Sequence, residues 1–156
     1  MTIQEAQSNF ERLKSNTEVK SEIRTYQSFI NILSELDART FTETELNKIQ
    51  DQLAKIEFDS VTKKKSIHFL KQLNTFKSFL KTEFSLVGKN YYTGLGMSLG
   101  MALGMSLGIS FMSLIGISLS MTGGMIAGMI LGMFIGQTKD KEAEKENRVL
   151  SSIGSM

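Results

Sequence analysis

Over the first 88 residues, apolar side chains recur every three or four positions, the stripe of an amphipathic helix. Ile3, Ala6, Phe10 and Leu13 form one set, and Val19, Ile23, Tyr26, Ile30, Leu33 and Leu36 a second that ends near Asp37. Leu46, Ile49, Leu53 and Ile56 form a third, and Phe69, Leu73, Phe76, Leu80, Phe84 and Val87 a fourth. Start signals agree with these sets. Thr2 with Glu5, and Thr42 with Glu45, have the spacing of a capping box, in which hydroxyl and carboxylate each bond the other's backbone N–H. Asn16 and Thr17 separate the first two sets, and Asp59 or Ser60 stands where the fourth helix needs a cap. The chain has no proline, and apolar–polar alternation is scarce. Residues 1–88 are therefore expected to form a soluble helical domain.

After residue 88 the polar face disappears. The 49 residues from Asn90 to Thr138 carry no charge. Glycine falls on a four-residue comb at Gly96, Gly100, Gly104, Gly108, Gly116, Gly124, Gly128, Gly132 and Gly136, interrupted by Met112 and Ser120. Leu or Ile mostly precedes each glycine, Met often follows it, and Ser98, Ser106, Ser110, Ser118 and Thr122 lie two away. Uncharged apolar runs longer than about 18 residues read as membrane-spanning helices. Glycine costs a helix about 1 kcal/mol per residue in water. In lipid, however, backbone groups must bond internally, and small residues four apart let helices approach closely. One helix of this length would measure about 74 Å, against a hydrocarbon core of about 30 Å. Two crossings are expected, near 92–116 and 121–138 within a hairpin over 89–138, with the turn around Ile117–Ser120. Residues 139–156 form a charged tail that extends the second helix and frays from Ser151 onward.

Charge adds a direction. Lys89 precedes the apolar block, Lys139, Lys141, Lys145 and Arg148 follow it, and the expected turn has none. By the positive-inside rule both termini face the cytoplasm, which places the chain in the cell (inner) membrane. Lys89, Tyr91, Tyr92, Lys139 and Arg148 mark the membrane boundary, where rings with polar tips and basic side chains are favoured. The fourth helix is also basic, through Lys63, Lys64, Lys65, Lys71, Lys77, Lys81 and Lys89. Those lysines serve either solvation or contact with anionic headgroups.

Composition narrows the chemistry. A net charge of +2 without a basic stripe does not suggest nucleic acid as a partner. No cysteine is present, so there is no disulfide framework or thiolate metal site. Met1-Thr2-Ile3-Gln4-Glu5 lacks the basic start and apolar core of a secretory signal. The single histidine, His68, has no second ligand or nucleophile to work with and is expected to have a structural or surface role. Gly94–Gly96 lacks the strand and acidic residue of a nucleotide fingerprint. No catalytic residue, metal or cofactor is expected, and the chain is not expected to be an enzyme.

Two readings of the serine column stay open. Ser98, Ser106 and Ser110 could line a water-filled path, or each hydroxyl could bond the carbonyl four residues back. The comb itself, Gly96, Gly100, Gly104, Gly108, Gly124, Gly128, Gly132 and Gly136, is expected to be the helix-packing and oligomer interface. Its contacts between copies are expected to run through Gly100, Gly104, Gly128 and Gly132.

With its Gly-Met/Ile-x-Leu/Ile units, followed by Asp140-Lys141-x-Ala143-x-Lys145-x-x-Arg148-Val149-Leu150, the stretch from about Tyr91 to Leu150 resembles the small bacterial glycine-zipper membrane proteins. The resemblance implies a membrane topology and no particular activity. The expected fold is all-α: an N-terminal cytoplasmic helical bundle plus a two-helix glycine-zipper transmembrane hairpin. Two functions fit. The first is a homo-oligomeric channel or pore gated by the cytoplasmic helices, with the lipid bilayer and other copies of itself as partners. The second is a membrane-anchored interaction or scaffold protein whose N-terminal helices bind a protein partner.

Overall fold

A computed structural model describes residues 1–58, 65–110 and 117–153. The chain is predominantly α-helical, with six α-helices among the described residues: α1 (Ile3–Ser15), α2 (Lys20–Asp37), α3 (Glu43–Ala54), α4 (Lys65–Phe84), α5 (Tyr91–Ser110) and α6 (Ile117–Lys145). Two-residue strands, β1 (Val87–Gly88) and β2 (Val149–Leu150), pair with each other, and a 3₁₀ turn, Ser151–Ile153, follows. The chain divides into two compact units, one of Met1–Leu86 with the segment from Leu150, the other of Val87–Val149.

The first unit is built on α2. Both capping boxes form: Thr2 Oγ1 accepts from the Glu5 N–H at 3.1 Å while Glu5 accepts from the Thr2 N–H at 2.8 Å, and Thr42 with Glu45 does the same. The expected Asp59 or Ser60 cap of α4 lies outside the described residues. Ile3, Ala6 and Phe10 of α1, Ile49 and Leu53 of α3, and Phe69, Leu73, Phe76 and Leu80 of α4 are buried at their expected positions. Phe10 stacks on Phe29 at 4.1 Å between ring centres, and Tyr26 meets Phe69 edge-on at 5.2 Å. The single stripe expected of α2 is too narrow. Phe29 and Ile32 are also fully buried, because α1 packs on one side of α2 and α4 on another. Val19 moves the other way. It is 52% exposed because it is the residue before the first turn of α2, not part of that helix. Thr17 Oγ1 accepts from its N–H at 3.3 Å and donates to Glu22 at 2.7 Å.

Ser151–Ile153, expected to fray, form a 3₁₀ turn, and the rest of that expected frayed end lies outside the described residues. Leu150 is fully buried in the core of the first unit. The Ser152 hydroxyl donates to Glu35 at 2.9 Å, and Lys77 donates to the Ile153 carbonyl at 2.9 Å. Lys77 is thus half-buried, not a member of a solvated basic face, and burial lowers its pKa from the ordinary value. The first unit therefore ends at Leu86 and resumes at Leu150.

In the second unit α5 and α6 pack antiparallel. Both are long and apolar enough to cross a membrane, over Tyr91–Ser110 and Ser120–Lys145. The helical limits differ from those expected. Residues 111–116, expected to end the first crossing, lie outside the described residues, and residues 117–120, expected as the turn, are the first turn of α6. The register explains this. Gly96 faces Gly132, Gly100 faces Gly128, Gly104 faces Gly124 and Gly108 faces Ser120. Ser120 thus fills a comb position inside the seam and is not available to a turn. At its other end α6 passes 138 and takes in the charged residues to Lys145. It closes with the Arg148 N–H on the Ala143 carbonyl at 2.8 Å and the Asn147 N–H on the Glu144 carbonyl at 3.1 Å. Such a C-terminal motif needs a left-handed residue, and Asn147, at φ 55°, tolerates that conformation.

Candidate functional site

The glycine seam is a contact of bare backbones. A Cβ added at Gly100 would overlap the Gly128 carbonyl oxygen, and one at Gly104 the Gly124 carbonyl oxygen. The reverse holds too: a Cβ on Gly128 would stand 2.8 Å from the Gly104 Cα. Gly136 closes the row against Tyr92 and Thr93. All eight comb glycines expected to pack helices therefore do so, but against the other helix of the same chain. Gly100, Gly104, Gly128 and Gly132, through which contacts between copies were expected to run, meet the facing helix of the same chain. Gly94 and Gly123, off the comb, face open space. Gly116 lies outside the described residues.

The columns beside the glycines fall on opposite sides of the seam. Met97, Met101, Met105, Met125, Met129 and Met133 are half-buried along one side. On the other, Leu99, Leu103, Leu107, Leu131 and Ile135 rim a shallow groove of about 770 Å³ with a glycine floor. These five side chains are exposed, Leu103 at 65% and Ile135 at 67%.

The serines expected to line a path are also exposed, and each hydroxyl donates within its own helix. Ser98 bonds the Gly94 carbonyl at 2.9 Å, Ser106 the Ala102 carbonyl at 2.8 Å and Ser110 the Ser106 carbonyl at 3.3 Å. A satisfied hydroxyl can face either lipid or water, so this geometry is compatible with both readings.

Residues expected at the membrane boundary come together at one end of the helix pair. Tyr91 and Tyr92 meet edge-on at 5.2 Å, Lys139 pairs with Glu142 at 2.7 Å, and Arg148 Nε donates to Glu146 at 2.5 Å. Lys89 is exposed in the link before α5. At their centre is a residue that sequence inspection did not single out. Asp140 is only 7% exposed and accepts from the Tyr92 N–H at 2.9 Å, the Thr93 N–H at 2.8 Å and the Thr93 hydroxyl at 2.6 Å. Its carboxylate caps the first turn of α5 from the last third of α6, where orphan N–H groups and the helix dipole favour a negative charge. The only signal for it is an acidic residue two positions after the uncharged block, which is also the pattern of an ordinary charged tail.

The first unit holds a mixed pocket of about 370 Å³ bordered by Lys55, Glu57, His68, Lys71 and Gln72. His68 and Gln72 bond at 2.8 Å. Among the described residues, no three His, Cys, Asp or Glu side chains are grouped so as to hold a metal ion. No family model, no curated protein and no solved structure matches the chain.

Proposed function

We propose that the chain is an integral protein of the cell (inner) membrane in which α5 and α6 form a two-crossing anchor and the N-terminal helical unit is a cytoplasmic interaction module for a protein partner. The observation that carries this reading is the surface of the helix pair. Leu, Ile and Phe side chains point outward from the uncharged lengths of α5 and α6, while the glycine backbones and serine hydroxyls bond or pack within the pair. In water such a surface would be an aggregation hazard. In lipid it is the expected outer face of a finished unit. A pair whose small residues are already engaged with each other has no remaining glycine comb with which to knit a ring. The basic flanks favour both ends in the cytoplasm, and the resemblance to glycine-zipper membrane proteins supports the same topology.

A homo-oligomeric channel is the second reading. The exposed row of Ser98, Ser106 and Ser110 favours it, since these hydroxyls could face a lumen if copies associate through surfaces other than the seam. Ion flux in liposomes holding the purified full chain separates the two. The anchor reading predicts flux no greater than in empty vesicles. Flux that is blocked by a thiol reagent at S98C or S106C, and untouched at L99C, would establish the channel instead. The module has its own test: a complex isolated from cells through the N-terminal unit should persist when α5 and α6 are replaced by an unrelated two-span anchor.

A further inference from the structure

The two flanks of the glycine seam differ in chemistry. The residues just before and just after a seam glycine lie about 100° to either side of it on the helix. Because α5 and α6 run antiparallel, residues one after a glycine fall on the same side of the pair. The facing glycines Gly96 and Gly132, Gly100 and Gly128, and Gly104 and Gly124 therefore set Met97 across from Met133, Met101 across from Met129 and Met105 across from Met125. Successive pairs lie four residues, about 6 Å, apart. All six side chains are half-buried. The next step of the row is an internal comparison. Opposite Gly108 and Ser120 the corresponding pair is Ile109 and Met121, which are 51% and 40% exposed. Where both members are methionine, both are covered; where one is isoleucine, neither is. On the other flank, Leu99, Leu103, Leu131 and Ile135 are exposed. The cover thus goes with methionine meeting methionine across the seam, which gathers thioethers from both helices into one row.

We propose that these paired methionines bind a soft monovalent metal ion, Cu(I), with Met101, Met105, Met125 and Met129 as its thioether ligands and Met97 with Met133 as a further pair toward the Tyr92 end. Thioether sulfur is an uncharged, polarizable donor that suits Cu(I), whereas imidazole and carboxylate suit zinc, iron and the hard cations. No His, Cys, Asp or Glu occurs in α5, or in α6 before Asp140, so those ions find none of their preferred ligands here. Charge argues in the same direction. Neutral ligands leave the ion's full charge in place, and a divalent ion in so apolar a surrounding carries twice that charge with no anion to offset it. Packing alone gives no reason for the two flanks to differ, since leucine and methionine have similar volumes and replace each other at small cost. The site needs only the helix pair, and stands whether that pair anchors a module or lines a channel.

Ag(I) is a redox-stable probe for such a site, and the absence of cysteine removes the thiols that would otherwise compete. The purified full chain in mild detergent, labelled at its methionine methyl carbons, is titrated with Ag(I) and followed by NMR, and affinity is read by competition with a chromophoric chelator. The methyls of the paired methionines should shift and saturate together, while that of Met1 stays in place. Cu(I), kept reduced by ascorbate, should compete with Ag(I) for the same methyls, and Zn(II) should not. M101L/M129L should weaken Ag(I) binding by at least about ten-fold, the least that loss of even an outer-shell partner costs many metal sites. M121L and H68Q should leave it unchanged. Helicity and elution volume report whether M101L/M129L is folded; if it is not, the methyl shifts of the unaltered chain decide. Shifts confined to methionines outside the paired row, equal affinity in M101L/M129L and the unaltered chain, or loss of binding in H68Q overturns the proposal. Competition by Zn(II) and not by Cu(I) overturns the choice of ion. A chain that binds no Ag(I) also overturns the proposal, and leaves the anchor reading as it was.

Discussion

At the scale of single residues, the seam sets a sharp contrast between glycines. Gly104 and Gly128 lie where any Cβ meets the opposite backbone, which cannot yield without separating the helices. Gly94 and Gly123 face open space. Gly104→Ala or Gly128→Ala should therefore destabilise the helix pair by about 1–3 kcal/mol, the usual range for forced overpacking. Gly94→Ala or Gly123→Ala should be neutral, or stabilising by up to about 1 kcal/mol through helix propensity. Unfolding of the four variants in mild detergent measures this, and equal losses at all four would show that the seam is not where the glycines matter. Asp140 gives a second residue-scale test. Asp140→Ala removes the acceptor for two orphan N–H groups and a hydroxyl and should cost about 2 kcal/mol, while Asp140→Asn keeps one acceptor oxygen and should cost less. The same unfolding measurement applies, with hydrogen exchange at the Tyr92 and Thr93 amides as a local readout. Unchanged protection in Asp140→Ala would contradict the cap.

At the scale of elements, the two capping boxes tie helix stability to pH. The Thr2 backbone N–H holds the Glu5 carboxyl below its usual pKa, and Thr42 does the same for Glu45. A carboxyl with a depressed folded pKa adds stability that is present above its ordinary value near 4.5 and is lost as pH falls through the lower folded value. Helicity of α1 and α3 followed by NMR should drop across that acidic window, and Glu5→Gln or Glu45→Gln should flatten the drop for its own helix only. These starts were legible in the sequence because a capping box is local and its signal lies within four residues. Most of the core was legible for the same reason, since a helix buried on one side shows it as a stripe. The extra burial of Phe29 and Ile32 was not, because it depends on α2 having neighbours on two sides. Leu150 was not either, since two residues of strand after a charged helix carry no period. It should nonetheless be costly to remove: Leu150→Ala should destabilise the N-terminal unit by about 2–5 kcal/mol, read by its thermal unfolding. A loss near zero would mean that the segment from Leu150 does not belong to that core.

At the scale of the whole molecule, the uncharged block could be recognised from composition alone, and the comb from its spacing. What the comb contacts could not. A row of glycines fits a facing helix from the same chain or another equally well. Ser120 decided between registers only once it was seen to occupy a glycine position opposite Gly108. The serine column remains two-sided for a related reason, since a hydroxyl bonded to its own helix is content in either solvent. The account as a whole stands on the claim that α5 and α6 cross the membrane as a pair and return the chain to the side it left. The absence of cysteine makes that directly measurable, because a single introduced cysteine is the only thiol. Cysteines placed at Lys89, Ser110 and Ser151 are treated in spheroplasts with a membrane-impermeant maleimide, before and after lysis. The pair predicts that S110C reacts in intact spheroplasts, while K89C and S151C react only after lysis. Reaction of K89C and S151C from opposite sides of the membrane would contradict it.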